Sequence, residues 1–145
     1  MPTGAELAGL IERAADVAVD WAAAADEHEV VAAAALLRTG RVHVGVWVAA
    51  AVDSACLCAE TGPICEAHLA HDPIVAIACV SYIAGEPTRV LPACGVCQER
   101  LQAFGSDVLV AVAAQPTLYK ALSELRPWPW WQALPQDAAE RHRNQ

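Results

Sequence analysis

Three thiols, two of them three residues apart and the third far upstream, constrain the fold most. Cys94 and Cys97 stand in Cys94-Gly95-Val96-Cys97, and Cys58 lies well upstream in Cys58-Ala59-Glu60. If the CxxC pair opens a helix, its sulfurs fall on one face, a turn apart, within reach of a single ion. By itself the pair fits a redox dithiol, half of a structural zinc ribbon, or chance among six cysteines. The remote third thiol, with Glu60 two residues beyond it, points further. Three protein ligands hold zinc and leave its fourth position to water, which is the arrangement of a catalytic site.

Thr3 to Glu6 reads as a capping box, and Leu7, Leu10, Ile11, Ala14, Val17, Ala18 and Trp21 follow at helical spacing, predicting a helix to about Ala24. Val30 to Leu37 is an alanine-rich apolar run that pattern alone does not assign, followed by a Thr39-Gly40 turn. Val42, Val44, Val46 and Val48 alternate with His43, Gly45 and Trp47, which is a strand. Ala59 to Ala70 and Cys94 to Phe104 read as helices, the second stopped by Gly105. Ile74 to Val80 and Val108 to Ala113 are continuous apolar runs, as in strands covered on both faces. A last helix is expected over Leu118 to Leu125.

Composition bounds the partners. The net charge of −8, with nine Lys+Arg against seventeen Asp+Glu, argues against a nucleic-acid polymer, because phosphate backbones reward clustered cations. Only Arg141-His142-Arg143 is locally basic, and it reads as a solvated end. Hydrophobic residues make up 56%, but no run reaches the ~18 apolar residues that a membrane span needs. Met1 to Ala14 carries Glu6 and Glu12 and lacks the apolar core of a signal peptide, so the cytoplasm is expected. There Cys56, Cys65 and Cys79 are read as buried thiols, not disulfide halves.

Cys58-Ala59-Glu60 and Cys94-x-x-Cys97 resemble the zinc-dependent cytidine deaminase superfamily, whose pattern is His or Cys, any residue, Glu, then Pro-Cys-x-x-Cys. The likeness extends from about Val30 to Trp131. Leu57-Cys58-Ala59-Glu60-Thr61-Gly62, Cys94-Gly95-Val96-Cys97-Gln98-Glu99-Arg100-Leu101 and Leu122-Ser123-Glu124-Leu125-Arg126-Pro127 resemble segments of cytidine and blasticidin-S deaminases. It implies an α/β fold, a single mixed β-sheet sandwiched between helices, with the zinc site at the N-termini of two helices and Val30 to Leu37 as a strand. It implies Cys58, Cys94 and Cys97 as ligands of Zn2+, Glu60 as acid and base, and the Ala59 backbone against the base edge. The chain is then one catalytic domain over 1–145, with a core at about 30–131, an N-terminal helix at about 4–24 and a frayed tail at 132–145.

Two departures bear on the substrate. Ala93 separates Pro92 from Cys94, where the family usually places proline directly before the cysteine. Trp47 and Ala49 stand where cytidine deaminases hold ribose with an Asn-x-Glu pair, and neither can bond a sugar hydroxyl through an amide or carboxylate. Trp47 is then a stacking surface or a structural aromatic. Asp53 and Ser54, in the loop before Cys58, are near enough to contact a substrate and are also ordinary loop formers.

His43 is a candidate pocket wall, and His28, His68 and His71 are read as surface residues. Arg100 is expected to temper the thiolates or to pair with Glu99 or Glu66. Trp128-Pro129-Trp130-Trp131 is read as packing, or as a lid formed by Trp130 or Trp131. The resemblance also implies a homo-oligomer, a tetramer before a dimer.

The expected activity is hydrolytic deamination of a small aminopyrimidine, a cytidine-like nucleoside or nucleoside-like antibiotic, with a place in pyrimidine salvage. The alternatives are a non-nucleoside amino-heterocycle, meaning a free base, triazine, purine or pterin, and a non-catalytic zinc-binding protein.

Overall fold

The computed structural model describes residues 1–133. Helix α1, Gly4–Ala25, begins on the capping box read from the sequence. The Glu6 N–H donates to Thr3 Oγ1 at 3.2 Å and the Thr3 N–H to the Glu6 carboxylate at 2.7 Å. Its buried residues, Leu10, Ile11, Ala14, Ala18 and Ala22, recur at helical spacing and form one apolar face. The helix stops at Asp26, whose left-handed backbone lets its own N–H and that of Glu27 return to the Ala22 carbonyl.

Strands β1 (Glu29–Leu37) and β2 (Val42–Val46) form the expected antiparallel hairpin, turned at Gly40, whose φ of 87° suits glycine. Helix α2 (Thr61–Leu69) leads to β3 (Ile74–Ile83) and β4 (Arg89–Val90). Helix α3 (Gly95–Leu101) leads to β5 (Leu109–Ala113), β6 (Leu118–Ala121) and the one-turn helix α4 (Leu122–Leu125). The sheet has six strands in the order β2-β1-β3-β5-β6, with β4 alongside β3. Only β3 and β5 run parallel, so the sheet is mixed.

Alternation explains the layers. Ala32, Ala34, Leu36, Ala76, Ala78, Val80 and Ala111 face α1. Ala35, Leu37, Ile77 and Val110 face the other way, onto Ala67 of α2 and Cys97 and Leu101 of α3, and Ile74 joins them because the β1–β3 register shifts between Leu36 and Leu37. The α/β/α sandwich is therefore present, and the apolar run in β1 is a strand covered on both sides.

The hairpin is pinned from below by a buried carboxylate. Asp72 accepts from the Thr39 N–H at 3.2 Å, the Thr39 hydroxyl at 2.5 Å and the Arg41 guanidinium at 3.1 Å.

Several expectations are corrected, among them the burial of two thiols: Cys79 is buried, but Cys65 is exposed and Cys56 only half-buried. The helix read over Leu118–Leu125 is a strand followed by a single turn, because Leu118–Ala121 finds an open sheet edge. Leu109 pairs with Ala121, Val110 with Lys120 and Ala111 with Tyr119, and the Tyr119 hydroxyl donates to the Leu7 carbonyl at 2.9 Å. Tertiary pairing outweighs local helix preference there. Helix α2 begins at Thr61, not Ala59, and strand pairing in β2 stops at Val46, with Val48 making only an isolated bridge to Leu57. Of the tail read as frayed, 132 and 133 end a short 3-10 turn, Trp130–Ala133, and 134–145 lie outside the described residues. No described helix is long and apolar enough to cross a membrane.

Candidate active site

Two loops deliver the thiols. After β4, the Leu91 N–H donates to the Cys79 carbonyl at 2.9 Å, holding the chain against β3 as it approaches α3. Ala93, which stands between Pro92 and Cys94, is buried, and its carbonyl accepts from the Gln98 side chain at 2.8 Å. Cys94 is the N-cap of α3, and Cys97 lies in its first turn with its side chain buried.

Cys58 arrives differently. Val48 and Leu57 exchange backbone hydrogen bonds at 3.0 Å, and the Cys58 carbonyl accepts from the Thr61 N–H at 2.9 Å as the chain turns into α2. Cys58 therefore precedes the helix that it was expected to open. The residue at the N-cap of α2 is Glu60.

The ligand atoms of Cys58, Cys94 and Cys97 all lie within 4.8 Å of one another, and the Cys58 and Cys94 sulfurs are 3.6 Å apart. Sulfurs bound ~2.3 Å from one zinc at tetrahedral angles stand about 3.8 Å apart, so the Cys58–Cys94 separation matches that spacing and Cys97 lies close enough to join them on one ion.

Their acidities differ. Burial pushes the Cys97 thiol well up, helped by the nearby Glu60 and Cys94 charges. Cys58 is likewise raised, first by burial and then by its contact with Cys94. Cys94 falls below an ordinary thiol. Burial raises it, but hydrogen bonds from the Cys97 N–H, the Cys58 and Cys97 thiols and the Val96 N–H together outweigh that. The start of a helix stabilises a thiolate in this way.

Glu60 is 4% exposed. A carboxylate at a helix N-cap ordinarily accepts an N–H from the first turn, yet Glu60 makes no such side-chain bond. Its carboxylate is buried near the thiols without serving the helix. Ala59 is buried with Ala33 and Cys79, and burial followed by the Glu60 charge drives the Cys79 thiol well up.

A residue that sequence reasoning passed over fixes this loop. A Cβ on Gly45 would stand 2.4 Å from the Ala59 carbonyl oxygen and 2.7 Å from Pro63 Cδ. The Cys58–Pro63 turn therefore lies directly on β2, and only glycine leaves room. Glycine inside a strand is the sequence signal for such an approach.

The remaining candidates are more scattered. Trp47, 47% exposed, lies just past β2, with its N–H on the Val31 carbonyl at 2.9 Å. Ala49 is exposed in the following loop, and Asp53 and Ser54 are exposed in a 3-10 turn, Asp53–Ala55. His43 pairs through Nδ1 with Glu66 at 2.5 Å, tying β2 to α2. Arg100 reaches neither a sulfur nor Glu66 nor Glu99. Its Nη1 donates to the Thr61 hydroxyl at 2.8 Å, and Glu99 is held by Arg126.

Trp128 and Trp130 are exposed, and Trp131 shares the turn of Trp130. Their neighbours Pro127, Pro129 and Gln132 line a cleft of 310 Å³ with Gln102, Ser106, Ser123 and Arg126. This cleft adjoins the end of α3 remote from Cys94. A second cleft, of 430 Å³, lies between Met1, Leu37, Phe104 and Asp107. Neither cleft touches the thiols. The ligand cluster, not cavity size, locates the site.

No protein-family model and no curated protein matches the sequence. Solved structures do match. A cytidine deaminase from Bacillus anthracis is 28% identical with a TM-score of 0.76, over 92% of this chain and 98% of that one. One from Mycobacterium tuberculosis is 30% identical with a TM-score of 0.63, over 85% and 93%. One from Burkholderia pseudomallei is 25% identical with a TM-score of 0.59, over 81% and 93%. The chain belongs to the cytidine deaminase family and is a deaminase of that family.

Proposed function

We propose that this chain is a zinc-dependent hydrolytic deaminase that converts the exocyclic amine of a small aminopyrimidine, a cytidine-like nucleoside or nucleoside-like antibiotic, to a carbonyl and releases ammonia. One observation carries the reading: three sulfurs within 4.8 Å of one another beside a 4%-exposed carboxylate that caps nothing. Cys58, Cys94 and Cys97 would hold the ion. Zinc, when bound, supplies Lewis acidity that lowers the pKa of water towards ~7.

The chain's own groups do the rest. Glu60 accepts a proton from the attacking water on its carboxylate, delivers it to the ring nitrogen, and then carries the second proton to the departing amine. Its burial keeps bulk water from competing for those transfers. Ala59 supplies backbone to the base edge, beside Glu60. Asp53, Ser54 and the Trp130–Trp131 turn are the other candidate substrate contacts, the last from this chain or from a second copy.

Trp47 and Ala49 favour a second reading, deamination of an amino-heterocycle without a sugar: free base, triazine, purine or pterin. An indole 47% exposed offers a flat apolar face, and Ala49 offers no hydrogen bond. A third reading, a non-catalytic zinc protein, gives Glu60 no role.

We read 1–145 as one catalytic domain of a cytoplasmic enzyme of pyrimidine salvage that binds no nucleic-acid polymer and no membrane. A homo-oligomer, a tetramer before a dimer, is supported by Val48, Leu57, Leu91 and Val96, exposed on the segments flanking the thiols. The test is ammonia release by zinc-loaded protein from cytidine, deoxycytidine, cytosine, blasticidin S and aminotriazines, with Glu60→Ala as control. Release from one member that Glu60→Ala abolishes supports the reading. Metal bound with no release from any member leaves the non-catalytic alternative.

A further inference from the structure

Only one side-chain hydrogen bond among the described residues joins α2 to α3. Arg100, in the last turn of α3, donates from Nη1 to the Thr61 hydroxyl at 2.8 Å. Thr61 is the first residue of α2 and follows Glu60 directly. Helix α3 in turn is capped by Cys94 and carries Cys97. The bond thus links the segment that bears the proton-carrying carboxylate to the segment that bears two of the thiols.

From this we infer that Arg100 is a positioning residue for Glu60, acting through Thr61. The role rests on the proposed deaminase reading.

The physical need is specific. Glu60 makes no cap bond of its own, so its direction follows the backbone at the start of α2. One side of that backbone is set by the Ala59 carbonyl lying against Gly45. The other side has the threonine, whose branched Cβ gives it few χ1 choices, so a bond to Oγ1 also orients the main chain. A guanidinium presents several donors in a rigid plane and holds such a bond in one geometry. Without it the start of α2 can shift relative to α3, changing the separation of the carboxylate from Cys94 and Cys97 while the Val48–Leu57 bridge still holds the chain next to Cys58.

The experiment compares Thr61→Val, Thr61→Ser, Arg100→Ala and the Thr61→Val/Arg100→Ala double variant, each zinc-loaded, by steady-state ammonia release from the panel member that wild type deaminates. Misplacement by ~1 Å costs roughly 10²-fold in rate, so a partial shift predicts a kcat about tenfold lower in Thr61→Val and in Arg100→Ala, with KM within about twofold. The double variant falls no further than either single one, because both cut the same bond. Thr61→Ser, which keeps the hydroxyl, recovers most of the lost turnover. Zinc per chain after challenge with a chromogenic chelator stays at the wild-type value throughout.

Wild-type kcat in Thr61→Val and Arg100→Ala, or a Thr61→Ser variant as slow as Thr61→Val, overturns the role. Should Arg100→Ala not fold, the Thr61→Val and Thr61→Ser pair decides alone. A zinc-loaded wild type that deaminates no panel member overturns the deaminase reading and this role with it, whereas active wild type with unimpaired variants overturns this role only.

Discussion

Asp72 and Glu60 are buried to nearly the same degree, 5% and 4% exposed, and they are used in opposite ways. Asp72 sits below the β1–β2 hairpin and accepts from the Thr39 N–H, the Thr39 hydroxyl and Arg41. Glu60 sits at the start of α2, beside the thiols, and among the described residues no side-chain hydrogen bond to its carboxylate is formed. A buried carboxylate whose lone pairs are taken stabilises structure, and one left open is available for chemistry. The contrast separates a structural end of the sheet from the end proposed to be reactive, and each end can be perturbed by itself.

The largest effect belongs to the reactive end. Cys97→Ala removes a buried thiol proposed as a ligand, so zinc per chain and ammonia release are both expected to fall to background, measured by metal analysis and turnover on the same sample. Next is Gly45→Ala. A Cβ 2.4 Å from the Ala59 oxygen must displace the turn that carries Glu60, and kcat is expected to drop about 10²-fold together with a lower melting temperature.

Asp72→Asn sharpens the comparison from the other side. Its carboxyl lies below the usual carboxylate range because the Thr39 hydroxyl donates to it, with Arg41 and the Thr39 N–H adding to the effect against its burial. The ionised form therefore favours the fold. That contribution is fully present above the unfolded value of about 3.9 and is lost as pH falls through the lower folded one. Asp72→Asn is expected to melt below wild type at pH 7, with the gap closing below about pH 4, and to keep wild-type kcat per folded molecule.

Tyr119→Phe is the smallest change. It removes the bond to the Leu7 carbonyl that joins β6 to α1, for about 1 kcal/mol by denaturant titration, with turnover unaltered.

The reactive end was easier to read from sequence than the scaffold around it. Cys58, Cys94 and Cys97 stand out because their spacing is distinctive, and the thiols do converge, with Glu60 buried two residues beyond Cys58. Helix α1 and strands β2, β3 and β5 were legible from capping and apolar patterning, whereas the alanine-rich run of β1 became a strand only through the family resemblance. Strand β6 was not, because Leu118–Ala121 is a strand only by virtue of the β5 edge beside it. Two-residue β4 is too short for any pattern. Gly45 reads as one more residue on a strand face until the Ala59 carbonyl is seen against it. Arg100 had plausible acidic neighbours in sequence, but they were claimed elsewhere, Glu66 by His43 and Glu99 by Arg126, leaving Thr61.

Ammonia release by zinc-loaded Glu60→Gln, set beside wild type on the same substrate, tests the central claim most directly. The amide keeps the size of the side chain and leaves the three thiols untouched, but it cannot carry a proton. The account predicts one zinc per chain in both proteins and a kcat lower by roughly 10²–10⁴-fold in Glu60→Gln. Equal turnover by the two zinc-loaded proteins would contradict it.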